Sequence, residues 1–306
     1  MDLTQPRRLD GLFILSCAVF LFLCVLAFIA NQNEQHYYLD FQAINSESQK
    51  YFIFFMTTLY VAVLFFQNQS SQKIMFIKSL SMLFITLYVM EVGNTAIFTT
   101  PFTTHDQLMQ QSDSAMGFHL VLILQYMHAH LYFNSVVWSV YYSLLLMLHV
   151  APITLSITEK PETVYRYFFC FMLSVTIGYL IYYFFPTATS PAAVLPHRYF
   201  TSFQLFTLHA FHQEHLHQKI HFNMIGGIIS FPSYHAIWCI LIIYFFWKDS
   251  FFRYFALIYG TLVLIAILLT GWHYLTDVIG GILIAIFSIW LTQYLFQRLI
   301  DVDCSQ

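Results

Sequence analysis

The sequence predicts an all-α polytopic integral membrane protein of about eight transmembrane helices, the last six forming a C-terminal core. Three observations predict it. Of 306 residues, 59% are apolar and one in five is aromatic. Only 9% are charged, 12 Lys and Arg with 15 Asp and Glu, where an ordinary soluble domain of this length carries roughly 75. The apolar residues fall in runs of about 20, the length that crosses a ~30 Å hydrocarbon core at ~1.5 Å per residue. Mean hydropathy is +0.66. This composition excludes a soluble enzyme and a disordered chain. It also excludes a nucleic-acid binder, because no basic surface is available to neutralise phosphates.

The runs lie at 11–30, 51–67, 74–97, 132–152, 166–185, 230–247, 254–271 and 275–296. Strand-like alternation is absent, which argues against a β-barrel. The first run is too long for a secretion signal and no A-x-A site follows it, so it reads as a retained anchor. Arg7-Arg8 ahead of it reads as flanking charge rather than a twin-arginine signal. A further apolar stretch, 116–128, is too short to span and reads as interfacial or re-entrant. Cys17, Cys24, Cys170 and Cys239 lie inside apolar runs and Cys304 in the tail, so no disulfide framework is expected. The organisation expected is a two-helix hairpin at 1–70, a core at 71–298 and a tail at 299–306.

Eight spans put both termini on one side. That side holds Arg7, Arg8, Lys73, Lys78, Lys160, Arg166, Lys248, Arg253 and Arg298, against Lys50, Arg198 and Lys219 on the other. The 9 to 3 split predicts cytoplasmic termini. Were 116–128 to span, the split would become 6 to 6, which favours eight spans. The external side then carries the two long connections, 98–131 and 186–229.

Ionisable residues at the mouths of apolar spans are costly and mark candidate sites. Two stretches stand out, Ser230-Phe231-Pro232-Ser233-Tyr234-His235-Ala236 and Gly271-Trp272-His273-Tyr274-Leu275-Thr276-Asp277-Val278-Ile279-Gly280-Gly281. Both fall at the external ends of their spans. His273 and Asp277 are one helical turn apart and share a face. An Asp there can take the proton of one ring nitrogen, fix the tautomer and free the other nitrogen as nucleophile or base. Gly280-Gly281 lets another helix approach. Ser230, Pro232 and Ser233 read as a helix start, whose free N–H groups form an anion site suited to phosphate. His235, one turn in, is placed to protonate a leaving oxygen.

F-P-S-x-H-A followed by G-W-H-Y-x-x-D-V-x-x-G resembles the second and third motifs of the phosphatidic acid phosphatase type 2 superfamily. The wording is most similar to its inositol phosphorylceramide synthase and sphingomyelin synthase branch, as is Tyr183-Phe184-Phe185-Pro186. The resemblance covers roughly residues 74–296. It implies a catalytic core with His273 as nucleophile through a phosphohistidine, Asp277 as its orienting partner and His235 as general acid. Ser233 would hold phosphate oxygens, and neither metal nor other cofactor is implied.

The departures from the pattern are informative. Ile267 stands where the phosphatase branch carries an Arg, 166–185 contains no Lys, and no Arg-Pro pair occurs. Arg198 is the nearest basic residue beyond that span and is carried over as a phosphate contact. A phosphate monoester is close to a dianion at neutral pH and needs several cations, whereas a diester carries one charge. The expected activity is therefore cleavage or transfer of a phosphorylated lipid head group. Membrane lipids are the substrates, with a lipid hydroxyl or water as acceptor. The active site would face the exterior, the periplasm or an organelle lumen.

Two rivals are a lipid phosphate phosphatase and a transporter or lipid-binding protein. No inverted repeat supports the transporter. A haem or copper carrier would need paired histidines at matching depth. The stretch 209–221 holds five histidines, and His217 and His221 have a usable i,i+4 ligand spacing. The expected reading is a head-group-facing lid rather than a metal site. Asp106 and Asp113 are expected to cap helices or shape the site, Glu91 with Asn94 to make a buried polar contact, and Trp138, Trp247 and Trp272 to sit in an aromatic belt.

Overall fold

The computed structural model describes residues 4–34, 57–61, 72–98, 100–217 and 229–303, with no strand among them. Ten α-helices follow in order. They are α1 (Thr4–Glu34), α2 (Gln72–Phe98), α3 (Asp106–Ala115), α4 (Leu120–Ala129), α5 (Leu131–Thr158), α6 (Pro161–Phe184), α7 (Ser202–His217), α8 (Tyr234–Phe246), α9 (Phe252–Leu269) and α10 (Leu275–Asp303). Residues 57–61 are also helical. Six helices (α1, α2, α5, α6, α9 and α10) contain stretches long and apolar enough to cross a membrane. The protein is thus an integral membrane protein. Apart from 57–61, the run predicted at 51–67 lies outside the described residues.

Two short apolar helices depart from simple spanning. The stretch at 116–128 forms α4, whose 10 residues reach ~15 Å, about half a hydrocarbon core. The run predicted as a span over 230–247 is helical only over 13 residues, or ~20 Å. Residues 230–233 do not join the helix because they hold the loop before α10, as described below.

Local sequence sets the helix ends. Pro161 opens α6 with its φ already helical, and Glu162 complements the dipole in the first turn. Asp249 Oδ1 accepts from the amides of Phe251 and Phe252 where α9 begins. Ser233 caps α8, its Oγ accepting from Ala236 N.

The long helix α6 is central, packing against α1, α2, α5, α8 and α10, and α8 lies between α5, α6, α9 and α10. Tyr167, Cys170, Met172, Val175 and Tyr182 of α6 are buried. In hydrocarbon such burial yields no transfer gain, so close packing and interhelical hydrogen bonds hold the bundle. Tyr183 OH donates to Asn31 Oδ1 at 2.9 Å, linking α6 to α1. Tyr234 OH donates to the Val175 carbonyl at 3.0 Å, linking α8 to α6. Tyr179 OH donates to Asn94, so the polar contact expected in α2 runs through Asn94. Glu91 is exposed. Trp272 is buried against Phe203 rather than standing in an interfacial belt, whereas Trp247 is exposed.

The most concentrated polar link is buried between α1, α2 and α6. Lys78 Nζ donates to Asp10 Oδ2 at 2.6 Å and to Tyr165 OH at 3.1 Å. Asp10 Oδ1 accepts from Tyr165 OH and from Tyr60 OH. Lys78 is only 1% exposed, so it is an internal cation and not the flanking charge that the orientation count assumed. Without it the count still leans 8 to 3. Replacing Lys78 with Met leaves Asp10 buried without its cation, and loss of one partner of such a pair costs about 3–5 kcal/mol. A sharply lowered Tm in detergent is expected for Lys78→Met. The double variant Asp10→Asn with Lys78→Met should recover much of that loss, because the two substitutions share one network.

Candidate active site

The two sequence stretches meet. Ser233 N donates to the Asp277 carbonyl at 3.0 Å, which joins the start of α8 to the first turn of α10. Gly281 allows this approach. A Cβ there would stand 2.4 Å from the Ser233 carbonyl oxygen, closer than any side chain tolerates. The small residue is needed because the opposing atom is backbone and cannot yield.

His273 lies in the turn just ahead of α10 rather than inside the helix. Its Nδ1 is 3.0 Å from the Ser230 carbonyl oxygen and 3.4 Å from Asp277 Oδ2. A carbonyl can only accept, so Nδ1 carries the proton and Nε2 is left with its lone pair. The tautomer is therefore set first by the Ser230 carbonyl, with Asp277 as the more distant partner. His273 is 4% exposed and Asp277 fully buried.

Asp277 has further work. Its Oδ2 accepts from Ser230 Oγ at 2.6 Å and from Tyr274 N at 2.9 Å. Ser230 is thus attached to both members of the pair, through its carbonyl to His273 and through its hydroxyl to Asp277. Sequence reading gave it only a part in starting a helix. Nothing in a one-dimensional spacing marks a carbonyl 43 residues away as the partner of an imidazole.

His235 faces this pair. Its ring centroid is 5.6 Å from that of His273, with the planes at 61°. It stacks on Tyr141 of α5 at 4.5 Å and 18°, which fixes its plane. Tyr141 was not anticipated, since it lies in the middle of an apolar helix. Ser233 is buried at the cap of α8 beside these residues.

Arg198 is not drawn into the group by any contact found among the described residues. It is exposed, on a short 3-10 turn (His197–Tyr199). Its guanidinium donates to Tyr199 OH at 2.8 Å and lies over the Tyr199 ring. That turn packs on α4, where His128 Nε2 meets the Tyr199 carbonyl at 3.0 Å. Ile267, at the position where a cation was missed, is fully buried.

The loop helix α3 supports the site from outside. Asp113 accepts from Leu275 N at 2.8 Å, Thr276 N at 2.9 Å and Thr276 Oγ1 at 2.6 Å. It caps α10 from a distant helix, on the turn between His273 and Asp277. Asp106 accepts from Ala188 N through both oxygens, at 3.2 and 3.0 Å, and from Tyr274 OH at 3.2 Å. Burial pushes both carboxyls above the usual carboxylate range, and these hydrogen bonds oppose the shift. The expectation that the two aspartates cap helices or shape the site is met in this form.

Of the histidine-rich stretch, His209 and His212 lie on α7, while the side chains of His215, His217 and His221 fall outside the described residues. No group of three His, Cys, Asp or Glu side chains gathers among the described residues in a metal-binding arrangement. Cys17, Cys24, Cys170 and Cys239 are buried free thiols.

A family model described as the PAP2 superfamily matches residues 107–291. The chain belongs to the PAP2 superfamily. The match begins in α3, one residue after Asp106, and ends in α10, so it contains Asp113, both histidine motifs and the loop between them. Members of the PAP2 superfamily are generally phosphatases or phosphotransferases. No curated protein and no solved structure matches the chain.

Proposed function

We propose that this PAP2 superfamily member is a membrane-embedded phosphotransferase that moves a phosphorylated head group from a phospholipid diester to a lipid hydroxyl or water. The observation that carries this reading is the pairing of two imidazoles. His273 has Nδ1 engaged and Nε2 free, and the His235 ring stands 5.6 Å away. That arrangement supports a nucleophile on one side of a phosphorus and a proton donor on the other.

His273 Nε2 attacks phosphorus and forms an N–P bond. The P–O bond to the donor lipid breaks, and the departing oxygen takes a proton from His235. The acceptor hydroxyl then gives its proton to His235 and attacks phosphorus, and the N–P bond breaks. Asp277 offsets the positive charge that His273 gains in the intermediate. Its Oδ1 is buried and has no hydrogen-bond partner among the described residues.

Electrostatics support a singly charged substrate. A monoester has a second pKa of about 6 and is largely a dianion at neutral pH. None of the hydrogen bonds found among the described residues brings a Lys or Arg to the His235, His273 and Asp277 group. Two helix N-termini converge there, and Asp113 already fills that of α10. The start of α8 is capped only by the neutral Ser233, which leaves its dipole end for one anionic group. Ser233, its oxygen engaged by Ala236 N, keeps its hydroxyl proton to donate to a phosphate oxygen. A head-group transferase of the inositol phosphorylceramide synthase and sphingomyelin synthase kind is the specific form proposed, with the site facing away from the cytoplasm.

Purified protein in mixed micelles would be given phosphatidic acid, phosphatidylinositol and phosphatidylcholine, with ceramide and diacylglycerol as acceptors. Products would be read by mass spectrometry. Head-group transfer or release from a diester is expected. Free phosphate from phosphatidic acid alone would instead assign monoester hydrolysis and refute the charge argument.

A further inference from the structure

A cavity of about 600 Å³ lies between α1 and α6, away from the residues of the candidate active site. Phe20, Cys24 and Ala27 of α1 form one wall, and Thr176, Tyr179 and Tyr183 of α6 form the other. Its volume falls within the ~300–1,000 Å³ usual for small-molecule sites. It opens sideways, because Leu26, Leu180 and Phe184 on its rim are 46%, 40% and 58% exposed. Both α1 and α6 contain candidate membrane spans, so among the described residues this opening faces outward at the depth of the hydrocarbon core.

The length and the floor are defined. From Phe20 to Ala30 the cavity follows α1 for ten residues, about 15 Å, which is half of a ~30 Å hydrocarbon core and therefore one leaflet. The rings of Phe20 and Tyr179 close the bottom, 5.2 Å apart. Both press on Gly93 of α2, where a Cβ would stand 2.3 Å from Phe20 and 2.5 Å from Tyr179. Tyr179 is held in place by its bonds to Asn94 and the Met90 carbonyl. The floor is therefore fixed.

The other end abuts the segment beside the active site. Phe102 and Phe184 border the cavity, and the next residue, Phe185, stacks on His105 at 3.8 Å. Phe185 also packs on Phe231, whose amide is held by Thr187 Oγ1 at 2.9 Å. The open end thus faces the same side of the membrane as His235 and His273.

We infer that this groove is a binding site for one acyl chain of a phospholipid from the leaflet on the active-site side. The chain runs down between α1 and α6 and ends on Phe20 and Tyr179. A floor of fixed depth makes the groove selective for chain length. Nothing polar from the lipid is required inside it, since its lining is mainly apolar. Occupancy needs no turnover and holds whichever donor the active site accepts.

The test uses the full-length protein in nanodiscs containing phosphatidylcholine with a diazirine near the end of one acyl chain. After illumination, crosslinked peptides are mapped by mass spectrometry. Labelling is expected to concentrate on the segments 20–30 and 176–184. It should exceed that of the exposed α9 face, which includes Ile258, Leu262 and Ile265, by about fivefold or more. Ala27→Trp fills the groove and should bring this labelling down to the α9 level while α9 labelling stays the same. Leu180→Trp, from the opposite wall, does the same should Ala27→Trp not fold. Phe20→Ala opens the floor and should shift labelling by longer chains toward α2 near Gly93. Even labelling of all exposed helices, or labelling unchanged by both tryptophan variants, would overturn the proposal.

Discussion

Replacing His273 with Ala is expected to lower turnover at least ~10³-fold while the protein remains folded. The imidazole makes one hydrogen bond, to the Ser230 carbonyl, and its removal costs about 1 kcal/mol of stability. Its chemical role has no substitute nearby among the described residues, where the second imidazole of the group, His235, has no carbonyl contact found to hold its Nδ1. The comparison that gives this meaning is His235→Ala. A general acid contributes ~10²–10⁴-fold, and its loss can be bypassed. A donor with a nitrophenol leaving group needs no proton, so His235→Ala should regain most of its rate on such a donor. His273→Ala should stay inactive on both. Steady-state rates on a lipid donor and a nitrophenyl diester, with Tm recorded for each variant, separate the two roles.

Asp113→Ala is expected to lower kcat by about 10²-fold with KM little changed, although Asp113 touches neither histidine. Its carboxylate receives three bonds at the start of α10, from Leu275 N, Thr276 N and Thr276 Oγ1. Removing it frees three half-buried donors, and an orphaned group costs about 1–3 kcal/mol when fully buried and less here. The turn can recover that energy only by moving, and it carries His273 at one end and Asp277 at the other. A shift of ~1 Å in a reacting group is enough to cost ~10²-fold. Asp113→Asn keeps one acceptor oxygen and should restore much of kcat. A capping residue important only for stability would lower Tm in both variants without separating kcat from KM. Amide exchange at Leu275 and Thr276 should rise in Asp113→Ala and return toward the wild-type value in Asp113→Asn.

The membrane character and most helices were legible in the sequence because hydrocarbon imposes a coarse demand, about 20 apolar residues per crossing. The same coarseness carries the apolar run at 230–247 a few residues ahead of the start of α8. An apolar run does not reveal that Ser230 to Ser233 leave the helix to bind Asp277 and support His273. It also counted Lys78 as a flanking charge. A cation next to an apolar run looks identical whether it faces water or pairs with Asp10, 68 residues earlier in the chain.

The candidate site was legible where spacing carries chemistry. His273 and Asp277 are near enough in sequence for one turn to bring them together, and Ser233 sits at a helix start. The partners contributed by other elements were not. The Ser230 carbonyl, Tyr141 under His235 and Asp113 over α10 act through tertiary contact, and no local pattern encodes it. Asp113 left one clue, an acidic residue in a connection without Lys or Arg, whose usual partner is a helix N-terminus. Arg198 follows from charge and place in the chain alone, and among the described residues its guanidinium is held by Tyr199 at the surface.

The most direct test of the account is to look for the covalent intermediate on His273. The purified enzyme would be mixed with a phospholipid radiolabelled at the head-group phosphorus and quenched in alkali, because an N–P bond is lost in acid. Peptides would then be mapped. Label on the peptide that contains His273, carrying the head group and absent from His273→Ala, is the predicted result. Full turnover without label on that peptide, or label on another residue that survives His273→Ala, would contradict it.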